Sequence, residues 1–158
     1  MGQPMARLFI MVGIPGSGKT SIARERFGDA LRVSPDDLRL MLTGKTFELR
    51  REPIVERITK AVLETLLAIA QTQGLDVLHD ATDLTRARRR PLIKLARQHG
   101  LMPVAVFVKC DLPTALARNS RRPHPVPPGV VKRMHALLQE PSAEEGFEEV
   151  IDIHCAKE

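Results

Sequence analysis

Gly13-Ile14-Pro15-Gly16-Ser17-Gly18-Lys19-Thr20 fits the spacing G-x-x-x-x-G-K-[ST] at every fixed position. Glycines at 13, 16 and 18 let the backbone turn tightly with its N–H groups converging, and such a concavity ahead of a helix holds phosphate oxygens. Lys19 is then placed to reach the outer phosphates. Thr20 offers a hydroxyl oxygen to Mg²⁺, which bridges the β- and γ-phosphates of a nucleoside triphosphate. Residues 13–20 are thus a phosphate loop of the Walker A type, with ATP and Mg²⁺ as the expected ligands.

Moving a phosphoryl group needs more than a loop. It needs a carboxylate within reach of the acceptor hydroxyl and cations around the transferring group. The chain offers carboxylates at Asp36, Asp37 and Asp80, and a run of cations in Arg118-Asn119-Ser120-Arg121-Arg122. Asp36 and Asp37 also open a helical segment, where acidic side chains cap free N–H groups, so a purely structural role accounts for them as well.

The elements that must position these groups follow from periodicity. Leu8-Phe9-Ile10-Met11-Val12 is an apolar strand ahead of the loop, and a helix over 21–27 follows. A short strand over 30–34 stops at Pro35 and leads to a helix ending near Thr43. Residues 44–52 form a polar, basic loop with Lys45, Arg50, Arg51 and the lone aromatic Phe47. Helical spacing of apolar residues predicts a long helix over 53–73, ended by Gly74. The third strand, 75–80, ends on Asp80. A basic amphipathic helix over 82–98 carries Arg86, Arg88, Arg89, Arg90, Lys94 and Arg97, a pattern that normally marks a solvated face. Val104-Ala105-Val106-Phe107-Val108 is the clearest strand. A short helix from Pro113, a proline-held basic loop through Pro128, a helix over 130–139 and a last strand over 148–153 complete the chain. Strand and helix alternate throughout, which predicts one α/β domain over 1–158 with a five-stranded parallel sheet covered by helices on both faces. In such sheets ligands bind at the carboxyl ends of the strands, so Asp36, Asp80 and residues 118–122 should converge on the loop.

At 158 residues with net charge +5 the chain can bury its own core and suits an anionic partner, which ATP alone would satisfy. Cys110 and Cys155 are too few for a disulfide framework and lack metal-site spacing, which points to a reducing cytoplasm. No apolar run approaches the roughly 20 residues that span a bilayer, and no signal-peptide pattern opens the chain.

The motifs taken together resemble the polynucleotide 5′-kinase family of end-healing enzymes, within the P-loop kinases. The phosphate loop, Asp36-Asp37-Leu38-Arg39, Asp80-Ala81-Thr82-Asp83, Arg118-Asn119-Ser120-Arg121-Arg122 with Pro125-Val126-Pro127, and Pro141 with Glu145-Gly146-Phe147 occur in the family's order across nearly the whole chain. The resemblance implies a single-domain P-loop kinase fold with a short lid near 113–128. It implies Asp36 as general base on a 5′-hydroxyl and Arg39 on the acceptor's neighbouring phosphate. Arg118 and Arg122 would be ATP-side lid residues, with Lys19 and Arg122 acting on the transferring phosphoryl and Asp80 an accessory group on the acceptor side. The chain departs from the family at Asp83, where asparagine is usual, and no phosphatase or ligase segment accompanies the motifs. A kinase of a small hydroxyl compound, such as a nucleoside, sugar or antibiotic, and a nucleotide-binding module without transfer are the alternatives. With neither Trp nor Tyr and five Phe, little base stacking is expected.

Overall fold

The computed structural model describes residues 5–155. In chain order its elements are β1 (Arg7–Val12), α1 (Lys19–Arg26), β2 (Leu31–Val33), α2 (Pro35–Thr43), α3 (Glu52–Gln73), β3 (Val77–His79), α4 (Arg86–Gln98), β4 (Met102–Lys109), α5 (Leu112–Ser120), α6 (Pro128–Leu137) and β5 (Glu149–His154). Single 3₁₀ turns at Leu49–Arg51 and Ala143–Glu145 precede α3 and β5. The five strands form one parallel sheet in the order β2-β3-β1-β4-β5.

β1 is apolar almost throughout because it lies mid-sheet with both faces covered. On one face Leu63, Leu67 and Ala70 of α3 and Ile93 and Ala96 of α4 pack on Leu8, Ile10 and Ala105. On the other, Ala23 and Phe27 pack on Phe9, Met11 and Val106, with the Phe9 and Phe27 rings 4.7 Å apart. A third apolar cluster, Ile14, Leu84, Ala115 and Val131, joins the phosphate loop to α5 and α6. The loop is thereby fastened to the lid side of the molecule.

Several boundaries differ from the sequence expectation, for physical reasons. α1 begins at Lys19 rather than 21, so Lys19 and Thr20 belong to its first turn. β3 ends at His79, which leaves Asp80 just beyond the strand. Helix α4 begins four residues later than expected, after the Thr85 side chain caps the Arg88 N–H. Residues 80–85 are therefore a loop, and Asp83 within it has φ of 41°, a left-handed conformation that costs energy for a residue with a side chain. The basic face of α4 is not wholly solvated. Arg86, Arg88 and Arg90 are exposed, but Arg89 is fully buried, gripping Glu145 through two bonds of 2.8 and 3.0 Å and donating to the Asp83 carbonyl at 2.9 Å. A buried guanidinium needs such complete pairing, and Glu145 supplies it from 56 residues away.

The expectation that the two cysteines point to a reducing compartment also changes. Cys110 and Cys155 form a disulfide. β4 and β5 are parallel neighbours with Lys109 opposite His154, so the residues that follow each strand arrive side by side, with Cα atoms 5.2 Å apart. Closing a loop of 45 residues is worth roughly 4 kcal/mol on the chain-entropy account. Reduction should therefore lower the thermal midpoint by about 10 °C. Melting curves with and without reductant, with Cys155→Ser as the control that should not respond, test this.

Candidate active site

The phosphate loop wraps from the end of β1 into α1. Gly16 has φ of 85° and a Cβ there would lie 2.1 Å from the Ala115 carbonyl oxygen, so only glycine fits. At Gly13 a Cβ would lie 2.9 Å from the Ser17 hydroxyl and 3.1 Å from the Val108 carbonyl oxygen. Ser17 is fully buried, and its hydroxyl has no protein partner among the described residues. Around it the Gly13 N–H donates to the Thr82 carbonyl at 3.0 Å and the Ser17 N–H to the Ile14 carbonyl at 3.2 Å, which fixes the path of the loop.

The Lys19 ammonium donates to the carbonyl of Ile14 at 3.0 Å, folded back across the loop where phosphates would lie. Burial pulls its pKa down to about 8, against the upward pull of Asp80 and Asp36 and with a further downward push from Arg122. These couplings show that Asp36, Asp80 and Arg122 all lie within electrostatic reach of Lys19. Arg118 joins them on the lid side: its Nη1 lies 3.1 Å from the point where a Cβ on Gly18 would stand.

Asp80 is buried and receives the Thr20 hydroxyl at 3.1 Å. A hydroxyl and a carboxylate oxygen side by side are hard donors of the kind Mg²⁺ takes, so this pair fits the metal that a phosphate loop implies. Asp80 sits against the loop, where its partners are Thr20 and Arg32.

The two aspartates of α2 separate cleanly. Ser34 caps the helix, accepting from the Asp37 N–H at 3.1 Å, so neither carboxylate is needed as a cap. Asp37 is bound by Arg32 at 2.7 Å. Asp36, largely exposed, meets Arg39 one turn on, and Arg39 is clamped from its other side by Glu52 through Nε at 2.9 Å and Nη2 at 2.5 Å. Arg39 has its pKa held above the ordinary value, chiefly by these bonds to Glu52.

Sequence reasoning missed four contributors. Glu52 was an ordinary residue at a helix start, and Arg32 a polar position in a short strand. Asn119 is buried near the end of α5, where its side chain spans the following loop by donating to the Val126 carbonyl at 2.6 Å and accepting from the Val126 N–H at 3.1 Å. His79 is buried against Asp83 at 2.8 Å; burial opposes its charged form, but Asp83 outweighs this and holds the pKa up. That partner gives Asp83 a role that asparagine would fill without charge.

A five-stranded parallel sheet with helices on both faces and a phosphate loop after its central strand is a P-loop kinase fold. The profile of the AAA_33 family, described as an AAA domain, matches residues 8–141, and the chain belongs to that family. It is 25% identical over 136 residues to the L-seryl-tRNA(Sec) kinase of Methanococcus maripaludis, a match that covers 85% of this chain and 53% of that protein. The chain thus spans about half the length of this curated relative. Among solved structures, a chain of the Pnkp1/Rnl/Hen1 RNA repair complex aligns with a TM-score of 0.74 at 21% identity, over 93% of this chain and 48% of that one. A gluconokinase from Sinorhizobium meliloti 1021 aligns with a TM-score of 0.61 at 21% identity, over 99% and 86%.

The lowered Lys19 pKa makes ATP affinity pH-dependent with a defined sign. Bound phosphates favour the charged ammonium and raise its pKa, so affinity should be level below about pH 8 and fall by about tenfold per unit above it. Titration of ATP at pH 7 and pH 9 measures this, and in Lys19→Ala both the affinity and its pH dependence should be lost.

Proposed function

We propose that this chain is an ATP-dependent kinase that transfers the γ-phosphoryl group to the 5′-hydroxyl end of a polynucleotide. The observation that carries the reading is the Asp36–Arg39–Glu52 arrangement, which sets an exposed carboxylate beside a clamped guanidinium while that carboxylate lies within electrostatic reach of Lys19.

On this reading the loop N–H groups hold the phosphates, and Lys19 leaves the Ile14 carbonyl to pair with them. Thr20 and Asp80 would hold Mg²⁺, which when bound supplies charge neutralisation between the β- and γ-phosphates. Asp36 accepts the proton of the acceptor hydroxyl as its oxygen bonds to phosphorus and the bond to ADP breaks. Arg39 keeps an N–H free on each Nη for an acceptor phosphate, because Glu52 and Asp36 take only three of its five donors. Arg122 neutralises developing charge from the lid.

The surface around this arrangement supports a chain-like acceptor. Of the five phenylalanines, Phe47 alone is largely exposed, at 60%, and it lies between α2 and α3 with exposed Met41 and Leu49 nearby in sequence and Lys45, Arg50 and Arg51 interleaved. One exposed aromatic ring among cations offers a stacking face beside charges that suit linked phosphates. That amends the expectation of little stacking, which rested on composition alone. The names of two relatives, a tRNA kinase and a chain of an RNA repair complex, point the same way. The second reading, a kinase of a small hydroxyl compound, is favoured by the gluconokinase, which matches nearly the whole of this chain.

Transfer of labelled γ-phosphate to 5′-hydroxyl oligonucleotides, nucleosides and sugars decides between the two. Oligonucleotides should be the better acceptors, with KM rising by roughly 0.7 log units per log unit of salt for each phosphate neutralised. Equal use of nucleosides or sugars, with no salt dependence, would establish the small-acceptor reading instead. In the same assay Asp36→Asn should lose about 10²- to 10⁴-fold in turnover. Asp37→Asn should lose far less, and the reverse order would exclude Asp36 as the base.

A further inference from the structure

Arg32 stands outside every motif, yet its guanidinium is the middle link of a continuous chain of polar contacts. Nε and Nη2 both lie 2.8 Å from Asp80, and Nη1 lies 2.7 Å from Asp37. Asp80 in turn holds the Thr20 hydroxyl at the mouth of the phosphate loop, and Asp37 adjoins Asp36, which is tied through Arg39 to Glu52. Four elements take part: α1 supplies Thr20, β2 supplies Arg32, the loop after β3 supplies Asp80, and α2 supplies the aspartates.

The two carboxylates on Arg32 are unlike. The Asp80 side chain is 4% exposed, and that of Asp37 is 67% exposed. A buried carboxylate needs a counter-charge, whereas an exposed one has water. Arg32 therefore serves Asp80 first, and the Asp37 contact fixes where the guanidinium's far side points.

We propose that Arg32 is the resident counter-cation of Asp80, neutralising it until metal-bound ATP arrives, and that through Asp37 it positions the acceptor helix α2 relative to the phosphate loop. The proposal rests on reading Thr20 and Asp80 as the metal side of an ATP site. A divalent cation brings the positive charge that Asp80 requires, so Arg32 and the metal are alternative partners for one carboxylate. When the metal is present Arg32 keeps Asp37 as its partner, and α2 stays anchored.

This assigns Arg32 a signature that a packing role does not have. Without it, metal-free ATP meets a bare carboxylate and binds more weakly, while metal-bound ATP carries its own compensating charge and loses little. The test is calorimetric binding of ATP in excess EDTA and in excess Mg²⁺ to the wild-type chain and to Arg32→Gln, Arg32→Lys and Asp37→Asn. The ratio of the two dissociation constants should rise by about tenfold in Arg32→Gln, as expected for loss of one partly screened charge. It should stay near the wild-type value in Arg32→Lys, which keeps the charge, and in Asp37→Asn, which keeps the Asp80 contact.

Equal weakening of both affinities in Arg32→Gln, or an unchanged ratio, overturns the proposal. Should Arg32→Gln fail to fold, Arg32→Met, which keeps the aliphatic stem without the charge, takes its place with the same tenfold rise expected, and an unchanged ratio there, or a tenfold shift in Asp37→Asn or Arg32→Lys, overturns the proposal. If the wild-type chain binds no ATP under either condition, the site reading fails and the proposal with it. ATP binding with an insensitive ratio removes the proposal alone.

Discussion

The buried carboxylate of Asp80 is the constraint around which the rest of the site is arranged. An unpaired charge in that position would cost several kcal/mol, so the surrounding elements must deliver partners to it. Thr20 comes from the first turn of α1 and Arg32 from the neighbouring strand β2, while Lys19 lies close enough to feel its field. Each partner is also part of something else. Thr20 belongs to the phosphate loop, and Arg32 leads to the helix that carries Asp36. One buried charge thus registers the loop against α2.

The parallel sheet makes this possible. Its strands all end on one side, so the residues that follow β1, β2 and β3 come together without a long excursion of the chain. The loop over residues 80–85 is then held from several directions. The Gly13 N–H donates to the Thr82 carbonyl at 3.0 Å, His79 holds Asp83, and buried Arg89 ties the Asp83 carbonyl to Glu145. Such over-determination is what keeps Asp83 in a left-handed backbone conformation, and it makes the floor of the site rigid.

The opposite wall is built differently. α5 and the following loop rest on the phosphate loop through Ile14 and Ala115, with Asn119 closing the turn of the lid by bonds to Val126. Arginines at 118 and 122 are delivered from this wall, while the surface between α2 and α3 presents exposed apolar and basic residues. A braced floor with cations beside the phosphate loop is what phosphoryl transfer by positioning and electrostatics requires.

The phosphate loop was legible from the sequence because all its parts are contiguous. Eight residues dictate a local backbone path, and the glycines at 16 and 18 are needed whatever lies elsewhere. The alternation of strand and helix was legible for the same reason, since periodicity is a local property, although element ends moved by a few residues where caps such as Thr85 decided them. Partnerships were not legible. Whether Asp36 or Asp37 faces the loop, that Glu52 clamps Arg39, that Arg89 is buried rather than solvated, that Cys110 meets Cys155 and that Asp80 leans on Arg32 all depend on strand order and register. These contacts join residues from 13 to 56 positions apart, and a charge has no local signal that tells which opposite charge the fold will bring to it. The sequence by itself determined the loop that can hold phosphates. Only the tertiary structure decided which carboxylates and cations surround it, because burial forces each charge to find a partner and topology alone sets which partners are near.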